Sequence, residues 1–251
     1  RMSRGLGDVY KRQLSLCVLI LICCVLPAGM SRAAWIASLV SCGYVVLRLY
    51  REKIKSFVLR HRYALLGVLI VGTLFATGMY FIKRDSVDGR LLIWKITTQA
   101  IADSPWGVEG GKTFSAFYGD VQERYFTDCK YSDSEAWVAG TPDFAFNEYL
   151  QIAVEYGVWG SVLFVTVLLM LLKIAGNCKH LAGMGGCLVS LMVFACFSYP
   201  IHIPAIVSIW SLVVIVLCGE GLVMMKYRLI PKIVLLSVVA SGLIVSIKIH
   251  D

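Results

Sequence analysis

Long apolar runs recur along most of this chain and constrain its fold more than any other feature. Seven of them are long enough to cross about 30 Å of hydrocarbon, a distance that takes roughly 17–25 helical residues. These runs lie at about 14–30, 33–50, 63–82, 150–172, 181–200, 204–225 and 231–249. Because 58% of the residues are hydrophobic and only 16% are charged, we predict an all-α, polytopic bundle of about seven transmembrane helices.

The first thirteen residues are distinct from the predicted spans that follow them. Residues 1–13 resemble a translated sequencing adapter, so we set them aside as an artefact. A span follows them at once, and we therefore interpret the chain as a fragment that lacks an N-terminal part. The predicted organisation is then three spans in 14–82, an extracytoplasmic loop at 83–148, and four spans in 149–251.

Basic residues indicate which ends of the spans face the cytoplasm. Segment 48–62 holds six basic residues against one acid, and positively charged loops of this kind remain on the cytoplasmic side. Alternation then places further basic loops inside, and their residues are Lys173, Lys179, Lys226, Arg228 and Lys232. The turn at 29–32, the segment 83–148 and the turn at 201–203 are predicted to face outward.

The segment 83–148 is polar, with eleven acidic and seven basic residues. We predict that Asp88 caps a helix over about 89–102, which Pro105 and the following glycines end. A second helix is predicted to start after Pro142 and to merge into the span near Leu150. The segment is therefore expected to be a hydrated loop that contains short helices.

Charge and cysteine content exclude several classes of function. The formal charge is +8, but the basic residues lie in short segments between apolar runs, so we do not predict nucleic-acid binding. Nine cysteines are present, yet the chain has no Cys-x-x-Cys motif and no Cys/His cluster. We therefore predict no bound metal and no cofactor.

Two arginines on the predicted outer face are candidate anion ligands. Arg32 lies in a tight turn between spans, and Arg90 follows the third span, one helical turn before Trp94. Two planar guanidinium groups at a membrane surface suit a pyrophosphate, since each can donate paired hydrogen bonds. The alternatives are that Arg32 reaches to water from a helix end and that Arg90 is a solvated helix charge.

A group of polar residues stands at the outer entrance of the fourth span. Glu148 and Glu155 are seven residues apart and so share a helix face with little offset. Asn147 and Gln151 accompany them. Structural roles remain open: Glu148 suits a helix N-terminus, and Gly157 and Gly160 suit close helix packing.

Four motifs together resemble the O-antigen ligase and polymerase superfamily. Met30 to Ala34 resembles its Ser-Arg-Gly-Ala turn, and Gly89 to Trp94 resembles its Arg-x-x-x-Trp signature. Ser104 to Phe114 resembles the Pro-x-Gly-x-Gly stretch that follows, and Asn147 to Gly160 resembles Asn-x-x-Leu-Gln-x-x-x-Glu-x-Gly-x-x-Gly. They occur in the family order, which is far more specific than any one motif. The resemblance implies a fold like that of GT-C glycosyltransferases.

The chain departs from the family pattern at one position. Phe146 stands where much of the family has a histidine before the asparagine. Any role of that histidine therefore needs another residue, and the candidates are Glu148, Glu155 and His202. The alternative for His202 is that it is a helix-end residue without a catalytic role.

The resemblance implies a glycosyltransferase in the bacterial inner membrane with a periplasmic active face. Its expected partners are membrane lipids, an undecaprenyl pyrophosphate-linked glycan as donor, and lipid A-core or another glycan as acceptor. Leaving-group charge would meet Arg32 and Arg90, and Glu148 would take the acceptor proton. The other residues expected to contact substrate are Ser31, Trp94, Asn147, Gln151, Glu155 and His202. Trp94, Trp106 and Trp137 are either stacking faces for sugars or interfacial anchors.

Several readings remain open at this point. A polysaccharide polymerase and a protein O-oligosaccharyl ligase share the same motifs and differ in acceptor. A transporter of lipid-linked sugars is the alternative from a different class, and it would need broken or charged helices at mid-membrane depth. A purely structural membrane subunit would explain the spans but not the polar segment.

Overall fold

The chain folds into α-helices in the computed structural model, which describes residues 2–61, 63, 67, 84–107, 114–128 and 131–224. The helices in these ranges are α1 (Met2–Ala28), α2 (Arg32–Arg60), α3 (Arg84–Asp103), α4 (Phe114–Asp128), α5 (Asp133–Val138), α6 (Glu148–Asn177), α7 (Ala182–Ala195) and α8 (Pro204–Met224). Short 3₁₀ turns at Lys179–Leu181 and Pro200–His202 precede α7 and α8. The described residues contain no β-strand, which confirms the all-α prediction.

Two helical stretches are long and apolar enough to cross a membrane. They are Arg32–Ile54 within α2, with a mean hydropathy of 1.5, and α6, with a mean hydropathy of 2.2. Three apolar stretches are shorter than a full span: Arg12–Leu26, Lys179–Ala195 and Pro204–Glu220. The predicted spans at 63–82 and 231–249 lie outside the described residues, apart from residues 63 and 67.

Helix boundaries agree with the sequence at some positions and differ at others. The prediction that Asp88 caps a helix from about residue 89 was wrong, because α3 begins at Arg84 and has Asp85 in its first turn. An acid there interacts favourably with the helix dipole. α3 ends at Asp103, just before Pro105, as predicted. α1 begins at Met2 and so includes most of the segment 1–13.

Close contact between α2 and α7 depends on two adjacent glycines. A Cβ atom at Gly185 would lie 2.8 Å from the Tyr44 hydroxyl oxygen, and one at Gly186 would lie 2.5 Å from Val45 Cγ2. Small residues of this kind let helices approach closely in membranes. About one helical turn after Val45 in α2, the Arg48 guanidinium donates to the Gly176 carbonyl near the end of α6. α2 and α6 thus run in the same direction, with their C-terminal parts in contact.

We expect Gly186→Ala to destabilise the purified protein relative to Gly183→Ala. Both changes remove a glycine from α7, so both gain about the same helix propensity, roughly 1 kcal/mol. Gly183 has open space around it, whereas the new methyl at Gly186 must displace Val45. Overpacking costs about 1–3 kcal/mol, which should appear as a lower melting temperature of Gly186→Ala in detergent. Equal melting temperatures would show that the α2–α7 contact is loose.

The described residues form two hydrophobic cores. One joins α6, α7 and α8, and its buried residues are Leu168, Leu171, Ile174, Ala175, Leu181, Leu188, Trp210, Val213, Leu217 and Cys218. The other joins α3 and α4, and its buried residues are Leu92, Ile96, Ala100, Phe114, Tyr118, Val121, Tyr125 and Ala145. Ala145 belongs to the second core and Tyr149 packs on the first. The start of α6 therefore lies where the two cores meet.

Glu135 connects the helices of the polar segment. Its carboxylate accepts hydrogen bonds from Lys95 Nζ at 2.7 Å, from the Tyr125 hydroxyl at 3.2 Å and from the Ser132 backbone N–H at 3.1 Å. The hydrogen bond from Lys95 holds the pKa of Glu135 below its ordinary value. Because this pair is largely exposed, it fixes the arrangement of α3, α4 and α5 more than it adds to stability.

Candidate active site

Arg90 is held in place by its neighbours near the start of α3. Its Nη1 donates to the Phe197 carbonyl at 3.1 Å, and its guanidinium carbon lies 5.0 Å from the centre of the Phe146 ring. Burial lowers the pKa of Arg90, and the positive charge of Arg32 lowers it further, while Tyr199 opposes both. A guanidinium stays charged in proteins all the same. Arg90 is thus a positioned cation in a partly desolvated place.

Arg32 is the first residue of α2, and the turn before it is well ordered by hydrogen bonds. Ser31 is the N-cap, and its hydroxyl accepts from the Ala34 N–H at 3.4 Å. The Trp35 indole N–H donates to the Leu26 carbonyl at 2.8 Å and so joins the end of α1 to α2. A helix N-terminus favours negative charge, and a guanidinium beside it adds to that preference.

The structure places Arg32 within electrostatic range of Arg90. Arg32 is close enough to Arg90 for its charge to affect the ionisation of Arg90. Within the described ranges, neither guanidinium forms a salt bridge with a carboxylate. Two like charges that repel each other without a counterion are unfavourable. This arrangement is therefore suited to an anion with more than one negative charge.

Glu148 lies at the start of α6 with both carboxylate oxygens engaged. Its side chain is only 1% exposed. Oε2 accepts from the Ile201 backbone N–H at 3.3 Å, and Oε1 lies 3.5 Å from His202 Nδ1, an ion-pair distance rather than a well-formed hydrogen bond. Asn147 is the N-cap and accepts from the N–H groups of Tyr149 and Leu150. Glu148 therefore contacts the turn before α8, not solvent.

Gln151 connects the carboxylates to the histidine. It is 2% exposed, and its Oε1 accepts from the Ala145 N–H at 3.2 Å. Its Nε2 donates to Glu155 Oε1 at 3.1 Å and lies 3.3 Å from His202 Nε2. Since the amide nitrogen can only donate, His202 Nε2 acts as the acceptor in this contact.

His202 is a partly buried histidine facing two carboxylates. Its side chain is 21% exposed, and its ring centre lies 4.8 Å from that of Phe144. Burial by itself would lower the pKa of His202, but the contact with Glu148 and the charge of Glu155 more than offset this, so the pKa is raised. His202 is therefore more basic than an ordinary histidine.

Aromatic side chains lie between the arginine pair and the carboxylate group. Tyr199 stacks on Phe144, with ring centres 4.3 Å apart, and meets Phe146 edge-on at 5.5 Å. Trp94 donates from its indole N–H to the Ala145 carbonyl at 3.0 Å, so it supports this chain segment. Trp106 and Trp137 are 80% and 82% exposed and remain available for sugar or for the membrane interface.

Two of the sequence motifs interlock through their glycines. Gly157 has φ 77° and ψ 169°, which interrupts α6, and Gly107 has φ 96°. A Cβ atom at Gly157 would lie 2.7 Å from the Trp106 carbonyl oxygen. The freed Val158 N–H donates to the Pro105 carbonyl at 2.9 Å. Gly157 thus serves a loop-to-helix contact, whereas close helix packing was the structural alternative drawn from the sequence.

The structure groups the predicted site residues in two sets. Arg32 and Arg90 form one, and the other consists of Glu148, Gln151, Glu155 and His202. Ser31 and Asn147 are helix caps beside them, and Trp94 supports the chain between them. Sequence reasoning missed Phe197 and Tyr199, whose carbonyl and ring contact Arg90 and its neighbours. Their signal was a pair of aromatic residues just before Pro200, at the end of the predicted span 181–200 that leads into the outward turn.

Two helices long and apolar enough to cross a membrane, separated by a polar helical segment, are the features of a helical membrane protein. Residues 17–165, more than half of the chain, match the model of a family described as O-Antigen ligase. The chain therefore belongs to the O-antigen ligase family. The matched region includes both arginines and the start of α6, whereas His202 lies beyond it.

A Rickettsia bellii (strain RML369-C) protein named "Putative polysaccharide ligase" is similar to the chain. The two are 27% identical over 178 residues, which cover 68% of this chain and 40% of that protein. The chain thus spans less than half the length of this relative. No solved structure matches the chain.

Proposed function

We propose that the chain is part of a glycosyltransferase that moves a glycan from undecaprenyl pyrophosphate to an acceptor hydroxyl at the periplasmic face of the inner membrane. The single observation that carries this proposal is the juxtaposition of Arg32 and Arg90 without a carboxylate counterion in the described ranges. Family membership supports it, and so does the name of the Rickettsia bellii protein.

The arginine pair suits the leaving group of this reaction. As the bond between the sugar and the pyrophosphate breaks, negative charge grows on the departing phosphate oxygen. Guanidinium groups that are already in position stabilise such charge without rearrangement, and they do so most strongly where water is partly excluded. Arg90 meets this condition through Phe197 and Phe146, and Arg32 adds the N-terminus of α2.

The acceptor side of the reaction lies in the second residue set. The acceptor hydroxyl loses a proton as it attacks the anomeric carbon, so a base is needed near the arginines. Glu148 remains in the proposed catalytic set, because its negative charge favours this proton transfer. Its burial and its contacts with Ile201 and His202 mean that it acts through another group. Ser31, Asn147, Trp94, Gln151 and Glu155 support the substrates or the residues that hold them.

The orientation of the helices supports a periplasmic site. Arg32 and Glu148 start the two candidate spans, whereas Arg48 and Gly176 lie in contact at their far ends. A helix of 30 residues is about 45 Å long, so the site and the basic far end lie on opposite membrane faces. Exposed basic residues near that far end, such as Arg51 and Lys53, favour the cytoplasm for it.

A transfer assay with the purified full-length protein tests this function. The protein is mixed in detergent with undecaprenyl pyrophosphate-linked glycan and lipid A-core, in buffer with EDTA, and the product is followed by gel mobility. We expect glycan joined to lipid A-core, because the arginines supply the positive charge. A longer lipid-linked glycan would instead identify a polymerase. Absence of any transfer would favour a transporter and overturn the proposal.

We expect Arg32→Lys to lower the transfer rate by about 10- to 100-fold. Lysine keeps the charge but loses the planar fork that donates two hydrogen bonds to one phosphate. The rate is measured at saturating acceptor, and Arg51→Lys near the other end of α2 is the matched control. If Arg32→Lys transfers as fast as Arg51→Lys, then Arg32 only reaches from a helix end to water and does not bind the donor.

A further inference from the structure

We propose that His202 takes the proton of the acceptor hydroxyl and that Glu148 is the positioning residue that orients its ring. This inference rests on the proposed transfer function and names its base. It assigns a role to the turn before α8, which lies outside the region matched by the family. It also supplies the proton acceptor that is missing at Phe146, where much of the family has a histidine. The ring of Phe146 packs on Arg90 instead.

Accessibility distinguishes His202 from Glu148. The Glu148 carboxylate is buried, and its oxygens face Ile201 N–H and His202 Nδ1, so an acceptor hydroxyl has no direct approach. The His202 side chain is partly exposed and lies beside Phe144, in the aromatic group that reaches to Arg90 through Tyr199 and Phe146. A substrate bound by the arginines can therefore approach the imidazole of His202, whereas the carboxylate of Glu148 is buried.

Hydrogen-bond directions define the form of the His202 ring. The Gln151 carbonyl oxygen accepts from Ala145 N–H, so its amide group donates, to Glu155 and to His202 Nε2. Nε2 consequently carries a lone pair, and the ring proton is on Nδ1, facing the Glu148 carboxylate. A carboxylate behind Nδ1 and a lone pair on Nε2 is the arrangement in which imidazole works as a base.

The proposed step balances with the groups at hand. The acceptor oxygen forms a bond to the anomeric carbon, and its proton moves to His202 Nε2, where the hydroxyl replaces Gln151. The bond from the anomeric carbon to the pyrophosphate oxygen breaks, and its electron pair leaves with the pyrophosphate toward Arg32 and Arg90. Glu148 then faces an imidazolium ion. Glu155 keeps its contact with Gln151 and provides a second negative charge near the imidazolium ion.

The pH profile of the reaction should report this arrangement. In the described part of the chain, the charged groups that face His202 are Glu148 and Glu155, and their effect raises its pKa. The neutral ring is the base, so the rate should fall as pH decreases through that raised pKa, which lies above 6.5. Glu148→Gln removes the larger source of this effect. The fall should then occur at lower pH, in addition to any loss of rate.

The experiment measures transfer by the full-length protein as a function of pH for the wild type, Glu148→Gln, His202→Ala and His202→Gln. We expect both His202 variants to lose about 10²–10⁴-fold in rate, and added imidazole to restore part of the activity of His202→Ala. His202→Gln can still form hydrogen bonds but cannot take a proton, so it separates chemistry from folding. His180→Gln changes a comparable pair, since His180 lies 3.5 Å from Glu220, and should leave rate and profile unchanged.

Two outcomes would overturn the inference. One is a His202→Gln variant with the wild-type rate, and the other is a Glu148→Gln profile whose acid side does not move. Either result, together with an inactive Arg90→Ala, would reject His202 as the base and keep the transfer function. A wild-type protein that transfers no glycan would instead reject the function itself.

Discussion

Arg90→Ala is expected to abolish glycan transfer, with a loss of at least about 10³-fold in rate. Removal of one preorganised hydrogen-bond donor to a developing negative charge costs roughly 10²–10³-fold, and here a full positive charge is lost as well. A factor of 10³ corresponds to about 4 kcal/mol of transition-state stabilisation. The Arg32 charge would remain, but it would face the departing pyrophosphate alone.

The position of Arg90 makes this loss specific to chemistry. In the ranges that the structure describes, Arg90 donates one hydrogen bond to the Phe197 carbonyl and lies over the Phe146 ring, so alanine removes little packing there. We therefore expect normal protein levels in the membrane and a melting temperature close to that of the wild type. Arg90→Lys should retain a small part of the rate, because a point charge replaces the paired donors.

Lys95→Ala is the matched control on the same helix. It removes one positive charge from α3 and, with it, the exposed hydrogen bond to Glu135. The contacts of Lys95 with Glu135 and the Tyr125 ring involve none of the proposed site residues, so transfer should continue at nearly the wild-type rate. The rate is measured from membranes of a ligase-deficient strain that produces each full-length variant. Retained transfer by Arg90→Ala, or an equal loss in both variants, would remove Arg90 from the donor site.

The sequence predicted the all-α fold, the basic far end of α2 and the residues that gather at the site, because these depend on hydropathy, charge and motif order. The same motifs indicated Arg32 and Arg90 as partners although 57 intervening residues separate them. What they could not indicate was the contact between Glu148 and His202. That contact depends on how α6 packs on the turn before α8, and no local pattern encodes it.

Local propensity also failed at two positions for identifiable reasons. Asp88 has the chemistry of a helix cap, but residues 84–88 are already helical, so Asp88 lies inside α3 rather than at its start. Phe146 adopts φ 51°, which is rare for a large side chain. The ring of Phe146 lies between Arg90 and Tyr199 in this conformation, so contacts at the site accompany the strain.

Gly157→Ala is expected to disrupt the site more than any other single methyl group added to α6. The glycine has φ 77° and ψ 169°, a region that residues with a Cβ atom essentially do not occupy. The new methyl would also lie 2.7 Å from the Trp106 carbonyl oxygen and 3.1 Å from that of Pro105. Both neighbours are backbone atoms, so no side-chain rotation relieves the clash.

The expected cost of Gly157→Ala is therefore the sum of backbone strain and overpacking, about 2–6 kcal/mol. If α6 straightened to avoid it, the hydrogen bond from Val158 to Pro105 would be lost. The helical segment before Gly157, with Gln151 and Glu155, would then shift relative to His202. We expect a protein with a melting temperature lowered by several degrees and with little or no transfer activity.

Gly176→Ala is the control in the same helix, because a Cβ atom there meets no atom within 4 Å. It should be neutral or stabilising by up to about 1 kcal/mol, since alanine is the better helix former. The two variants are compared by melting temperature in detergent and by transfer rate. If Gly157→Ala behaves like Gly176→Ala in both measurements, the interruption of α6 is not needed, and the interlock between the two motifs does not hold the site together.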